Sequence, residues 1–228
     1  MSHVKQRFWS IRHAMSRMAP SVLHLLTVQP PAILLPTSRL TLPVNGDVGD
    51  ALIDLVDSSD SLPVVAVVPL SPPLDNAAPA LAEWGTAARV LRIAKPPTRS
   101  SNQPYLISLH GLARIKPLQP HPHNPPLSNS LPSFQVQYLP VDKVPNRETI
   151  ARFKQAALRL LDRLSRDALQ SARKESYIKI AIMLEDIADA RIPWMADVLI
   201  GSTDNDYNDK LGWSHSLSSL SPFLTPSV

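Results

Sequence analysis

Several side-chain groups in this 228-residue chain have the types and spacings that chemistry uses. His121 and His123 lie at i, i+2 and could ligate a metal, but no acidic residue or third histidine is near them, and zinc sites need three or four ligands. Ser108 and His110 flank Leu109 on a strand-like run, so they share a face, yet no third group completes a triad. Asp204, Asp206 and Asp209 cluster with Asn205 and Asn208. The calcium-loop spacing fails there, with no Gly at the sixth position and no Glu at the twelfth, so the stretch reads as a solvated loop. Glu185, Asp186 and Asp189 read as the polar side of a helix near Arg191. None of the six glycines, at 46, 49, 85, 111, 201 and 212, forms a phosphate-binding loop, a dinucleotide turn or a nucleophile elbow. No catalytic residue, metal or cofactor is expected.

The bulk composition narrows the classes further. The length suits one large or two small domains with a real core. Cysteine is absent, which excludes a disulfide framework, a Cys-ligated zinc and a Cys nucleophile. Net charge is +4, but no aromatic-interleaved Lys/Arg patch points to nucleic acid. No apolar run reaches membrane-spanning length. The 24 prolines, about twice the usual share of roughly 5%, gather in loops at 30–43, 69–79, 96–104, 117–145 and 222–226.

The elements that must position any site fall into two regimes. The organising stretch is Glu83–Ile115, in which Trp84-Gly85-Thr86-Ala87-Ala88-Arg89-Val90 and Tyr105-Leu106-Ile107-Ser108-Leu109-His110-Gly111 form two apolar runs around a Pro-rich break. This predicts a hairpin, with Gly85 and Gly111 placed for a backbone reason such as a bulge or close approach. Val22–Val28, Ala32–Pro36, Arg39–Val44, Pro63–Leu70 and Phe134–Leu139 read as further short apolar runs or strands. Asp47 reads as the cap of one helix ending near Ser58. With about six or seven strands and that helix, residues 22–145 read as a small closed or half-closed β-barrel. From Asn146, an expected N-cap, the period becomes 3.6. One stripe runs from Ile150 and Phe153 through Ala157, Leu160, Leu161 and Leu164 to Ala168. A second holds Tyr177, Ile180, Ala181, Leu184, Ile187 and Ala188, and a short helix opening at Pro193 carries Trp194, Val198 and Leu199. The fold class is therefore α+β, with a helical subdomain at 146–212. Residues 213–228 are Ser/Pro/Leu-rich and aperiodic, like an unstructured tail. Residues 1–21 hold no acid and carry Val4, Phe8, Ile11, Met15 and Met18 at helical spacing. They read either as a mitochondrial presequence or as an unstructured extension.

This order of elements resembles the N-terminal substrate-recognition domain of Lon proteases, a PUA-like β-barrel followed by a helical bundle. Leu34-Leu35-Pro36, Leu42-Pro43-Val44 and Val64–Pro69 carry the likeness, with Glu83-Trp84-Gly85-Thr86 through Arg89 and the strand holding Gly111 and Arg114. In the helical part Asp186-Ile187-Ala188-Asp189 and Trp194-Met195-Ala196-Asp197 fit too. Leu34-Leu35-Pro36 and Pro96-Pro97 are more similar to the peroxisomal type of fungal Lon, although the chain ends Thr225-Pro226-Ser227-Val228 without the usual peroxisomal signal. The resemblance makes Gly85, Thr86, Arg89, Gly111 and Arg114 structural motif residues. It implies binding of unfolded or misfolded protein segments, with Trp84, Tyr105 and Phe134 as candidate contacts, and full-length Lon subunits as possible partners. The family's ATPase and Ser-Lys protease modules have no counterpart in these residues, so no catalytic activity is expected of the chain. A truncated product of such a protease, or a cereblon-like interaction adaptor, are the alternative readings. The expected location is an organelle matrix, peroxisomal by resemblance or mitochondrial by the N-terminal residues, with the cytoplasm left open.

Overall fold

The structure is a computed structural model, and it describes residues 21–71, 80–97, 102–120, 131–139, 144–203 and 206–215. The chain divides into two compact units, Met1–Val141 and Asp142–Val228. The first holds strands β1 (Ser21–Val28), β2 (Arg39–Val44), β3 (Val64–Pro69), β4 (Gly85–Ala94), β5 (Tyr105–Pro120) and β6 (Ser133–Tyr138), with helix α1 (Gly46–Asp57) between β2 and β3. The strand order is β2-β5-β4-β3-β1-β6, and β6 also pairs with β5. The pairings β1–β3–β4–β5–β6–β1 thus return to their start, and β2 hangs on β5 as an edge. Among the described residues only β1 and β3 run parallel.

Burial explains the strand sequences. β3 reads as an unbroken apolar run, and five of its six residues are buried, as a strand covered on both faces requires. β5 begins by alternating, with Tyr105, Ile107 and Leu109 buried and Leu106, Ser108 and His110 half-buried. The core gathers Val65, Val67, Val90, Ile107 and Leu109 beneath Leu52 of α1. β5 runs five residues past the expected hairpin because its pairing switches: Leu106–Ile115 pairs with β4 and Ile115–Pro120 with β6. A register shift between Pro117 and Gln119 fits the prolines into the ladder, where their spacing predicts a loop. Residues 121–130, with His121 and His123, lie outside the described residues.

Two local expectations change. Asn45, not Asp47, caps α1: its Oδ1 accepts from the Val48 N–H at 2.9 Å. A cap sits outside helical φ/ψ, as Asn45 does, whereas Asp47 lies within the first turn, where its charge suits the helix dipole. Ala32–Pro36 is not a strand but an irregular segment with Leu34, Leu35 and Pro36 buried.

In the second unit α2 (Arg147–Arg166) is capped as expected, with Asn146 Oδ1 accepting from the Thr149 N–H at 2.8 Å. Ile150, Phe153, Ala157 and Leu161 form its buried stripe; Ala168 falls in the exposed 3-10 turn that follows. In α3 (Lys174–Asp186) Tyr177, Ile180 and Leu184 are buried. α4 (Ile192–Ser202) has Pro193 in its first turn, where a missing N–H leaves no gap. It buries Ile192, Met195, Ala196 and Leu199, while the expected Trp194 and Val198 are half-buried. α5 (Tyr207–His215) corrects the reading of a loop through Asp209 and a break at Gly212: the helix runs through both. Asp204 and the tail from Ser216 lie outside the described residues.

Candidate functional site

The β4–β5 hairpin positions most of the residues singled out in the sequence. Gly111 and Gly85 owe their identity to close approach, since neither has a positive φ. A Cβ on Gly111 would overlap the Leu35 carbonyl oxygen, and one on Gly85 would lie 2.6 Å from the Val67 carbonyl oxygen. Around Gly111 the register shifts: Ala87 faces Ala113 and Ala88 faces Gly111, leaving Leu112 as the extra residue of a bulge.

What presses on Gly111 is the segment 34–38. The Thr37 N–H donates to the Gly111 carbonyl at 2.9 Å, and the Gly111 N–H donates to the Ser38 carbonyl at 3.0 Å. Ser38 Oγ donates to the Leu35 carbonyl at 2.7 Å and accepts from the Leu35 N–H at 3.1 Å. From β4, the Thr86 hydroxyl, 2% exposed, donates to the Leu34 carbonyl at 2.7 Å. Thr86 and Gly111 therefore clamp this segment onto the hairpin. Thr86→Val keeps the shape but strands a buried carbonyl, so we expect a loss of about 1–3 kcal/mol in a denaturant titration.

Tyr105 is not placed as a surface contact. It is 6% exposed, its ring fills the notch above Gly49 of α1, and its hydroxyl donates to Asp50 Oδ1. That hydrogen bond, with burial, pushes the phenol above its ordinary value. Trp84 is half-buried ahead of β4, with the Lys116 ammonium 5.0 Å from its ring centroid; Lys116 also pairs with Glu83 at 2.6 Å. Phe134, half-buried on β6, faces Leu23 of β1 and Pro120 of β5 in register. Arg114, half-buried, lies opposite Thr86, and its carbonyl accepts from the Leu139 N–H at 3.1 Å.

Arg89 belongs to a feature the sequence reading did not assemble. Arg39 of β2 and Arg89 of β4 both lie directly opposite His110 of β5, forming one cross-strand row. In the next row Thr41, Ser108 and Arg92 align, with the Thr41 and Ser108 hydroxyls 3.0 Å apart. The signal was not in any one segment; it needs the register of three strands. Ser108 is thus tied to Thr41, and the charged groups flanking His110 are arginines, whereas a catalytic histidine is oriented by a carboxylate. Burial lowers the His110 pKa from its ordinary value and the two arginines add to this, against a hydrogen bond to the Ser38 backbone that raises it. A lowered folded-state value means the unfolded chain binds the proton more readily. Its contribution is present above pH ~6.5 and is lost as pH falls through the folded pKa. NMR titration should place His110 below the ordinary histidine value, and His110→Gln should flatten the fall in stability between neutral and mildly acid pH.

Glu185 and Asp186 are exposed at the end of α3, and Asp189 is exposed in the 3-10 turn Asp189–Arg191. Asp197 of α4 is buried. Among the described residues no group of three or more His, Asp or Glu could hold a metal ion, and no helix is long and apolar enough to cross a membrane.

No family model matches the sequence, and no curated protein matches it either. Solved structures do. The N-terminal domain of the Mycobacterium avium complex Lon protease superposes with a TM-score of 0.64 at 15% identity, covering 89% of this chain and 94% of that one. The Lon N-terminal domain protein from Xanthomonas campestris gives 0.56 at 15% identity, covering 87% and 92%. At this identity the likeness is one of architecture: the chain has the mixed α+β fold, a six-stranded sheet followed by helices, seen in Lon N-terminal domains.

Proposed function

We propose that this chain is a protein-recognition domain of the Lon N-terminal type, which holds exposed segments of unfolded or damaged proteins and contributes no ATPase or protease chemistry of its own. The observation that carries this reading is the fold likeness over nearly the whole of both chains. On this reading the returning ring of strand pairings is the PUA-like barrel. The surface fits a holder of apolar segments: Ile178, Ile182 and Met183 are exposed on α3, opposite its buried stripe, and Val22 and Leu118 are exposed on the strands. Trp84 and Phe134 add half-buried aromatic surface. On this reading these groups would contact extended chain weakly and broadly, as a quality-control receptor requires. Other Lon subunits are the proposed assembly partners, and an organelle matrix, peroxisomal or mitochondrial, the proposed location.

The test is a holding assay. The purified chain should suppress aggregation of a chemically denatured model protein, and Ile178→Asp with Ile182→Asp should weaken that suppression without unfolding the chain. A chain that neither retains the denatured protein in a pull-down nor slows its aggregation would sink the reading.

A further inference from the structure

The outer edge of β2 combines a backbone ladder that pairs with nothing on its outer side among the described residues with a row of basic groups, Arg39, His110 and Arg89. β2 pairs with β5 and, among the described residues, with nothing on its other side. Hydrogen bonding alternates along an antiparallel pair. The Gly111 N–H bonds the Ser38 carbonyl, one step along the register that places Arg39 opposite His110. The backbones of Leu40 and Leu42 therefore face β5, and those of Arg39 and Thr41 face outward. Pro43 falls on the same outward parity, where its missing N–H breaks no bond. The open ladder is thus short and stops at Pro43.

The face that runs from this edge is basic. Arg39, His110 and Arg89 span roughly 10 Å across three strands. A protonated His110 would face a like charge on each side, which destabilises a sheet. Arg39, Arg89 and Arg92 take part in none of the ion pairs among the described residues. Burial is the first cause of the lowered His110 pKa, and the charges of Arg39 and Arg89 lower it further. A carboxylate brought beside the row would relieve that repulsion.

We infer that the β2 edge takes an extended acidic segment of a client protein, which adds as a short strand of about three residues and turns alternate carboxylates toward the Arg39–His110–Arg89 row. This rests on the protein-recognition reading and gives it a sequence preference. A nucleic acid fits less well. It has no peptide groups to complete the ladder, and the face formed by Arg39, Thr41, Arg89, Arg92, Ser108 and His110 offers no Phe, Tyr or Trp on which bases could stack.

The probes are a fluorescent peptide alternating Thr with Asp, its Thr/Lys counterpart, and the acidic peptide N-methylated at alternate backbone positions. Anisotropy with the full chain should show binding of the acidic peptide alone, weakening with added salt. Arg39→Glu with Arg89→Glu should weaken it about tenfold or more while leaving the melting temperature unchanged or raised, because His110 gains carboxylate neighbours. N-methylation should abolish binding with every charge intact, and this arm needs no altered protein. NMR should show the His110 pKa rising on binding. The inference is overturned if the acidic peptide does not bind, if the N-methylated peptide binds equally well, or if a single-stranded oligonucleotide of equal charge binds more tightly. If the peptide fails while denatured protein is still held, this inference alone falls; if neither is held, the recognition reading falls with it.

Discussion

Gly111→Ala should lower the stability of the strand unit by about 3 kcal/mol, at the top of the range for overpacking, or roughly 10 °C in Tm for a unit of this size. The added methyl has no room, because it would sit on the Leu35 carbonyl oxygen, with the Leu35 carbonyl carbon and Pro36 Cα close behind. All three are backbone atoms, so no side chain can rotate away. The segment 34–38 is itself held by Thr86, by Ser38 and by both backbone groups of Gly111. Relief therefore requires that the segment lift off, exposing buried Leu34 and Leu35. The variant should also raise hydrogen exchange at Thr37 and Gly111 specifically. A Gly111→Ala protein melting with the wild type would contradict the clamp.

Phe153→Ala should remove about 3–5 kcal/mol from the helical unit, the usual range for deleting a large buried side chain. Phe153 is 0% exposed, in the stripe with Ile150, Ala157 and Leu161. The contrast is Leu169, also a large apolar residue but 90% exposed in the turn after α2. Leu169→Ala should stay within about 0.5 kcal/mol of the parent. Denaturant titrations followed by far-UV circular dichroism compare them. Equal losses from the two variants would mean that the α2 stripe is not the core of this unit.

Much of the architecture was legible because it is written in local period. The alternation of Tyr105–His110, the β-branched run Val64–Val68, the stripe on α2 and the Asn146 cap each follow from a few neighbouring residues. The misses have tertiary causes. Pro117 and Pro120 read as breakers, and only the switch of β5 from β4 to β6 makes room for them. α5 lacks an apolar stripe, and its Gly212 argues against a helix, so nothing in its hydropathy marks it. Asp47 has the right chemistry for a cap, but Asn45 holds the extended conformation a cap needs. Gly49 reads as an ordinary helical glycine until the Tyr105 ring is found against it. That contact also takes Tyr105 off the surface, where sequence reasoning had placed it as a client contact. The site was legible in part: the β4–β5 motif could be picked out, but the basic row joins residues from three strands and exists only once the register is known.

Whether this fold holds unfolded protein is decided by hydrogen exchange of the full chain with and without a permanently unfolded model protein. Exchange should slow at Arg39 and Thr41 on the outer edge of β2, with smaller protection around Trp84 and on the exposed face of α3. An exchange profile unchanged at every described residue, with the unfolded protein in large excess, would contradict that holding role.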